Sequence, residues 1–184
     1  MAKIVMVIGS PRKGSNSELI ADKIAEGAKA NGYEIVKYKI NDLKNARGCQ
    51  GCGACKKAGV CAQNDDVKPM LEDIKAADGV ILATPEYFGQ PTAQFRIAQD
   101  RMFSFVDGTF TPFFAPGKKC AVVVTCGSGI DGAKAMADQI EGVMAGFFKF
   151  QPLGKIVVKD AMAPRCVAEA KDVMDEALAI GKKF

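Results

Sequence analysis

The chain has 184 residues, of which 48% are hydrophobic and 25% are charged; its net charge is +4 and it contains no histidine. This balance is typical of a globular protein and predicts one domain over residues 1–184. The mild charge gives no reason to expect a nucleic-acid partner, and the lack of histidine excludes Ser-His and Cys-His nucleophile pairs and His-ligated zinc.

The cysteine usage does not suggest a secreted disulfide scaffold, because the seven cysteines are odd in number and the chain is not small. The apolar run near the first residue is too short for a signal peptide, and no apolar run approaches the ~18 residues of a membrane span. We therefore expect a cytoplasmic protein without a membrane partner, whose thiols are free for metal binding or catalysis.

Apolar strands and amphipathic helices alternate along the chain. Strands are predicted at 3–9, 33–40, 79–85, 118–127 and 155–160, and helices at 15–32, 67–78, 91–105, 131–146 and 166–184. This alternation predicts an α/β fold: a flavodoxin-like, doubly wound, five-stranded parallel sheet of order 2-1-3-4-5 with helices on both faces. Ligands bind beyond the carboxyl ends of such strands, which selects the loops at 9–17, 84–90 and 125–130.

The first loop, GSPRKGSNS at 9–17, has the composition of a phosphate site. Its small polar residues offer hydroxyls and an amide, the following helix offers free N–H groups, and an arginine adds a charged fork. The predicted phosphate ligands are Ser10, Arg12, Ser15, Asn16 and Ser17. The alternative is a helix start without a ligand, since Ser15 and Glu18 match a capping box.

The segment 45–66 is rich in cysteine and glycine, with the spacing C-x2-C-x2-C-x5-C. Structural zinc usually joins two separate cysteine pairs, whereas such a compact run is typical of iron–sulfur ligation. The predicted ligands of one [4Fe–4S] cluster are Cys49, Cys52, Cys55 and Cys61. Zinc, free thiols and disulfides are the alternatives.

Two later loops complete the candidate site. In TPEYFG at 84–89, Pro85 and Gly89 predict a turn that presents Tyr87 and Phe88 at the sheet edge, although both rings could instead pack on the core. In TCGSGID at 125–131, two glycines allow the backbone to approach a ring, and the alternative is a simple capped turn. The predicted contacts of this third loop are Thr125 and Gly127.

The segment at 95–117 holds six of the eleven phenylalanines, and Phe110, Phe113 and Phe114 fall in a predicted loop. These rings either pack on the core of their own domain, form a subunit interface or cover the ligand.

GSPRKGSNS after the first strand and TPEYFGQPTAQFR after the third resemble the flavodoxin-like NAD(P)H-dependent FMN reductase family, over nearly the whole chain. The resemblance implies that the first loop binds the FMN phosphate. It implies that the second loop borders the isoalloxazine with Pro85, Glu86, Tyr87, Phe88 and Gly89. The cysteine run resembles the iron–sulfur flavoprotein branch of that family, which implies one [4Fe–4S] cluster exchanging electrons with FMN.

The sequence thus predicts a flavin-dependent oxidoreductase that passes electrons between the cluster, FMN and a small acceptor, either a quinone or an oxygen species. The donor is NAD(P)H or a ferredoxin, and no side chain is predicted to be catalytic because the flavin carries the chemistry. One alternative is an NAD(P)H-dependent FMN or quinone reductase without a cluster. The non-enzymatic alternatives are a flavodoxin-like electron carrier and a zinc-stabilised binding module. The resemblance favours a homodimer or homotetramer.

Overall fold

The computed structural model describes residues 2–184. The strands are β1 (Lys3–Ile8), β2 (Glu34–Lys39), β3 (Gly79–Tyr87), β4 (Gln90–Pro91), β5 (Lys119–Thr125) and β6 (Gln151–Val158). The helices are α1 (Asn16–Ala30), α2 (Cys55–Ala58), α3 (Val67–Ala76), α4 (Ala93–Arg101), α5 (Ile130–Gly146) and α6 (Lys171–Gly181). Short 3-10 helices lie at Ile40–Asp42, Met102–Phe105 and Cys166–Glu169. Across residues 2–184, every helix is too short or too polar to cross a bilayer.

The long strands form a parallel sheet in the order β2-β1-β3-β5-β6, and β4 adds an antiparallel pair to the end of β3. If the two-residue β4 is left out of the numbering, this order becomes 2-1-3-4-5. The structure therefore confirms the predicted strand order. Side chains from Ile4 to Ile8 and from Cys120 to Val124 are at most 1% exposed, because helices cover both faces of the sheet. Alternate residues enter two cores: Val5 packs with residues of α3 and α5, and Ile4 packs with residues of α1 and α6.

Several element boundaries differ from the sequence prediction, among them the beginnings of β6 and α6. β6 begins at Gln151 rather than 155, and its pairing with β5 shifts register between Cys120 and Ala121. Pro152 is tolerated there because β6 is an edge strand, where a missing N–H costs no sheet hydrogen bond. α6 begins at Lys171 rather than 166, because Ala170 has non-helical dihedral angles and separates the helix from a 3-10 turn.

Gly27 of α1 and Gly181 of α6 bring the backbones of these two helices into direct contact. A Cβ atom on Gly27 would lie 2.9 Å from the Cα of Gly181, which is closer than real Cβ contacts come. Because α1 begins at the first predicted ligand loop, its packing against α6 helps to fix the height of that loop above the sheet.

Candidate functional site

A cavity of about 530 Å³ opens at the carboxyl ends of β1, β3 and β5, where the sequence predicts the ligand. This volume lies within the range of small-molecule and cofactor sites. The predicted residues that line it are Ser10, Arg12, Ser15, Asn16, Pro85, Glu86, Tyr87, Phe88, Thr125 and Gly127. Two predicted residues, Ser17 and Gly89, do not line it. Ser17 is fully buried in the first turn of α1. The lining residues that the sequence prediction missed are Lys13, Gly14, Cys126, Ser128, Ala161, Met162 and Pro164.

One end of the cavity is formed by the amino end of α1. Ser15 caps the helix by accepting a hydrogen bond from the N–H of Glu18 at 3.2 Å. Within residues 2–184, the N–H groups of Asn16 and Ser17 find no acceptor. Together with the positive end of the helix dipole and the nearby Arg12, these N–H groups give the cavity a positive, hydrogen-bond-donating end that suits an anion.

The carboxylate of Glu18 stabilises the first loop through a hydrogen bond to its backbone. The predicted capping box is only half formed, because its carboxylate accepts the N–H of Gly14 at 3.0 Å rather than that of Ser15. The side chain is 8% exposed and lies 3.3 Å from the ammonium of Lys37 and 3.2 Å from that of Lys39. Burial alone would raise the pKa of Glu18, but the bonds from Lys39 and Lys37 outweigh it and hold the pKa below its usual value.

Although Asn16 lines the cavity, its side chain is largely occupied by hydrogen bonds to other parts of the protein. Its side-chain amide donates to the carbonyl oxygens of Ala161 and Ala163 at 3.0 and 2.9 Å, and its oxygen accepts the N–H of Val167. Arg12 also reaches this segment, donating to the carbonyl oxygen of Met162 at 3.0 Å. Residues 159–166, which follow β6, therefore form a fourth wall of the cavity that the sequence prediction did not include.

The hairpin between β3 and β4 forms another part of the cavity lining. The prediction that Pro85 begins a turn is wrong, because β3 continues through Tyr87. The turn consists of Phe88 and Gly89, whose φ angles are +52° and +76°. Two consecutive positive values define a type I′ hairpin turn. Phe88 is held fully exposed in this conformation, which is costly for a residue with a side chain.

Glu86 and Cys126 both line the cavity and lie near each other. One carboxylate oxygen of Glu86 is buried, and no hydrogen-bond partner for it lies within the described chain. Burial raises the pKa of the Cys126 thiol, and the neighbouring Glu86 raises it further. The unpaired oxygen is a polar group in the cavity wall that a bound ligand could satisfy.

The four predicted metal ligands are divided between two environments. Cys55, at the start of α2, and Cys61 are buried, whereas Cys49 and Cys52 are exposed. No three Cys, Asp or Glu side chains between residues 2 and 184 lie close enough together to hold a metal ion. Burial raises the pKa of the Cys55 thiol, the charge of Lys56 opposes this, and the thiols of Cys61 and Cys49 add to the rise.

The cysteine loop packs against the phenylalanine-rich segment, a contact that the sequence did not reveal. The ammonium of Lys56 donates to the carbonyl oxygens of Phe103 and Val106 at 2.6 and 2.9 Å, and lies 3.2 Å from the centre of the Phe103 ring. Beside it, a groove of about 290 Å³ runs over the surface, separate from the cavity at the sheet edge. It is lined by Cys49, Gln99, Asp100, Phe103, Val106, Phe110, Phe147 and Phe148.

Comparison with known proteins identifies the family. The profile of "NADPH-dependent FMN reductase" matches residues 2–163. An iron–sulfur flavoprotein of Methanosarcina thermophila is 40% identical over 99 residues, which are 54% of this chain and 51% of that protein. The chain thus spans about half the length of the curated relatives it matches most strongly.

Two solved structures share the fold. An NADH:FMN oxidoreductase in its apo form has a TM-score of 0.70 and 20% identity, covering 100% of this chain and 88% of that one. An NAD(P)H:quinone oxidoreductase of Methanothermobacter marburgensis has a TM-score of 0.74 and 15% identity, covering 98% and 94%. These similarities show the shared fold, while the match over residues 2–163 assigns the family. The chain belongs to the NADPH-dependent FMN reductase family.

Proposed function

We propose that this protein is an FMN-dependent oxidoreductase of the iron–sulfur flavoprotein type, with residues 1–184 as one flavin-binding domain. The observation that carries the proposal is the cavity at the sheet edge. Its lining combines the unpaired N–H groups of α1 and Arg12 with an aromatic hairpin and a glycine-containing loop. A ligand that joins a phosphate to a flat ring with polar edges matches this lining.

Each part of the cavity then has a role. The amino end of α1, with Ser10, Ser15 and Arg12, would hold the phosphate. Backbone groups of the β3–β4 hairpin and of the loop after Thr125 would meet the polar edge of the ring, and Tyr87 and Phe88 would shield it from water. Bound FMN supplies hydride and single-electron transfer, so the protein needs no histidine or other general base.

The cysteine loop is the proposed site of one [4Fe–4S] cluster. Four thiols in a compact run are the donors that such a cluster requires, and relatives of this chain are named iron–sulfur flavoproteins. Cys55 and Cys61 are already buried, so cluster binding requires the exposed Cys49 and Cys52 to move toward them. Gly51 and Gly53, which both have positive φ angles and open surroundings, allow that movement.

The remaining assignments follow from the family. NAD(P)H or a ferredoxin would deliver electrons, and a small quinone or an oxygen species would accept them. The second candidate is an NAD(P)H-dependent FMN or quinone reductase without a cluster. The separation of the four cysteines into exposed and buried pairs favours this candidate.

An anaerobic visible spectrum of the purified chain, with iron and acid-labile sulfide assays, tests the proposal. Flavin bands over a broad shoulder, with about four irons per chain, support the cluster-containing oxidoreductase. Flavin bands without iron, after anaerobic reconstitution has also failed, select the cluster-free reductase. Absence of NAD(P)H oxidation with any small acceptor would instead favour an electron carrier. A colourless chain that takes up no FMN contradicts both flavin proposals.

A further inference from the structure

Arg101, the last residue of α4, is a charged side chain with no exposure to solvent. It forms a two-pronged ion pair with Asp65, whose side chain is 4% exposed, with nitrogen–oxygen distances of 2.6 and 2.9 Å. Burying a charge is costly unless it is paired and hydrogen-bonded, so such a pair requires a well-defined geometry. Arg96 on the same helix is 46% exposed and pairs only with neighbours on that helix, which makes it a matched control.

The guanidinium of Arg101 joins the two ends of the cysteine loop. One nitrogen donates both to Asp65 and, at 2.9 Å, to the carbonyl oxygen of Arg47. Residue 47 precedes the first cysteine of the loop and residue 65 follows the last. Gln63 adds a parallel link by donating to the carbonyl oxygen of Gly48 at 3.1 Å. The loop is therefore closed at its base by a buried charge from another element.

One N–H of Arg101 is left over. Its Nε is buried, and nothing in residues 2–184 accepts a hydrogen bond from it. A buried charge with one donor unsatisfied requires its other bonds to be well formed, so the bonds to Asp65 and to the carbonyl oxygen of Arg47 fix the side chain at the base of the loop.

We propose that Arg101 is the positioning residue of the cysteine loop: it closes the loop at residues 47 and 65 and thereby keeps the buried Cys61 shielded from solvent. The proposal concerns the chain alone and holds whether or not a cluster binds.

The closure of the loop is tested on the iron-free full chain, by timing the alkylation of each cysteine with iodoacetamide and mass spectrometry. In the native chain, Cys61 should react far more slowly than the exposed Cys49 and Cys52. In Arg101→Gln and Asp65→Asn, Cys61 should react about tenfold faster or more, because the base of the loop opens. In Arg96→Gln, Cys61 should react as slowly as it does in the native chain. Unchanged protection of Cys61 in a folded Arg101→Gln or Asp65→Asn chain overturns the proposal.

The measurement does not depend on iron, so failure of the proposed cluster leaves this test unchanged. If Arg101→Gln does not fold, as judged by circular dichroism, Arg101→Lys and Asp65→Asn carry the measurement. Equal reaction rates of Cys61 and the exposed Cys49 in the native chain would also overturn the proposal.

Discussion

Arg12 and the amino end of α1 both lie at the positive end of the cavity, and of these two groups Arg12 carries the full charge. Arg12 is exposed, so its contribution to ligand binding is moderated by water and salt. It also donates to the carbonyl oxygen of Met162, so it has a structural role in addition to its proposed contact with the phosphate. These two roles predict different responses to a ligand that lacks the phosphate.

We expect Arg12→Ala to weaken FMN binding about three- to tenfold and to leave riboflavin binding unchanged, because riboflavin has no phosphate for Arg12 to contact. Quenching of flavin fluorescence, measured at low and high salt, reports both affinities. Lys23→Ala is the control, since Lys23 lies on the exposed face of α1 and pairs with Glu26. An equal loss for both flavins would show that Arg12 acts by holding Met162 instead.

Glu18 provides a pH test of the same loop. Its pKa is lower in the folded chain than its usual value, so its contribution to stability is fully present above about pH 4.3. The contribution is lost as the pH falls through the lower, folded-state pKa. Glu18→Gln should therefore cost about 1–3 kcal/mol at pH 7, and the difference from the native chain should shrink toward pH 3.

Urea unfolding at a series of pH values measures this difference. Glu26→Gln is the control, because the Glu26 side chain lies on the same helix but is 60% exposed. A stability difference that grows as the pH falls would contradict the assigned role of Glu18.

At the scale of elements, the β3–β4 hairpin combines backbone strain with an exposed ring. Phe88 buries none of its surface, so the rest of the chain gains nothing from its side chain. Its left-handed conformation costs roughly 1–2 kcal/mol relative to a residue without a Cβ atom. A strained, exposed aromatic residue at the rim of a cavity indicates a role in covering a ligand.

Phe88→Gly should therefore leave the FMN-free chain as stable as before or up to about 1 kcal/mol more stable, because relief of strain offsets the added freedom of the unfolded chain. It should weaken FMN binding about three- to tenfold through the lost ring contact. Lys149→Gly is the control, since Lys149 has a φ of +59° far from the cavity. It should show the same gain in thermal unfolding with no change in flavin affinity. Undiminished FMN binding by Phe88→Gly would argue against the covering role.

The fold was predictable from the sequence because local patterns determine it. β-branched runs such as Ile4–Ile8 and Cys120–Val124 identify buried parallel strands, and alternation with amphipathic helices restricts the sheet order. The extension of β3 through Pro85 was not predictable in this way. Proline is a turn former by propensity, and only the pairing of Tyr87 with Gln90 makes this segment a strand.

The candidate site was predictable where it lies on loops that follow strands, and was missed where distant segments meet. Asn16 and Ala161 are 145 positions apart, and Arg101 and Asp65 are 36 apart, so no local pattern connects either pair. The exposure of Cys49 and Cys52 also depends on tertiary packing. Residue spacing identified the cysteines as a set, but it does not determine whether the free chain holds them together.

At the scale of the whole molecule, the described surface carries one apolar region away from the cavity. Phe103, Phe110 and Phe147 are 37%, 53% and 50% exposed, and their rings contact one another beside the cysteine loop. Phe114 is less exposed and packs edge-on against Phe105 and Phe150, so part of the aromatic segment belongs to the core. Contiguous exposed rings of this kind are typical of subunit contacts.

We expect the native chain to sediment as a dimer or tetramer, and the double variant Phe110→Ser, Phe147→Ser to sediment as a smaller species, because it removes the apolar surface that a second copy would cover. Analytical ultracentrifugation at micromolar concentration measures this change. Phe88→Ser is the comparison, since Phe88 is the most exposed ring but lies at the cavity. Dissociation by Phe88→Ser alone would place the contact at the hairpin.

The contact between Gly27 and Gly181 sets a limit on how this chain can vary. Every side chain other than hydrogen at these two positions would push α1 and α6 apart, and α1 carries the amino end that faces the cavity. In a saturation library selected for flavin uptake, codons 27 and 181 should therefore retain only glycine, although both lie far from the ligand. Codons for exposed residues of the same helices, such as 26 and 176, should accept most residues. Tolerance to substitution would thus follow the spacing between the two helices rather than distance from the flavin.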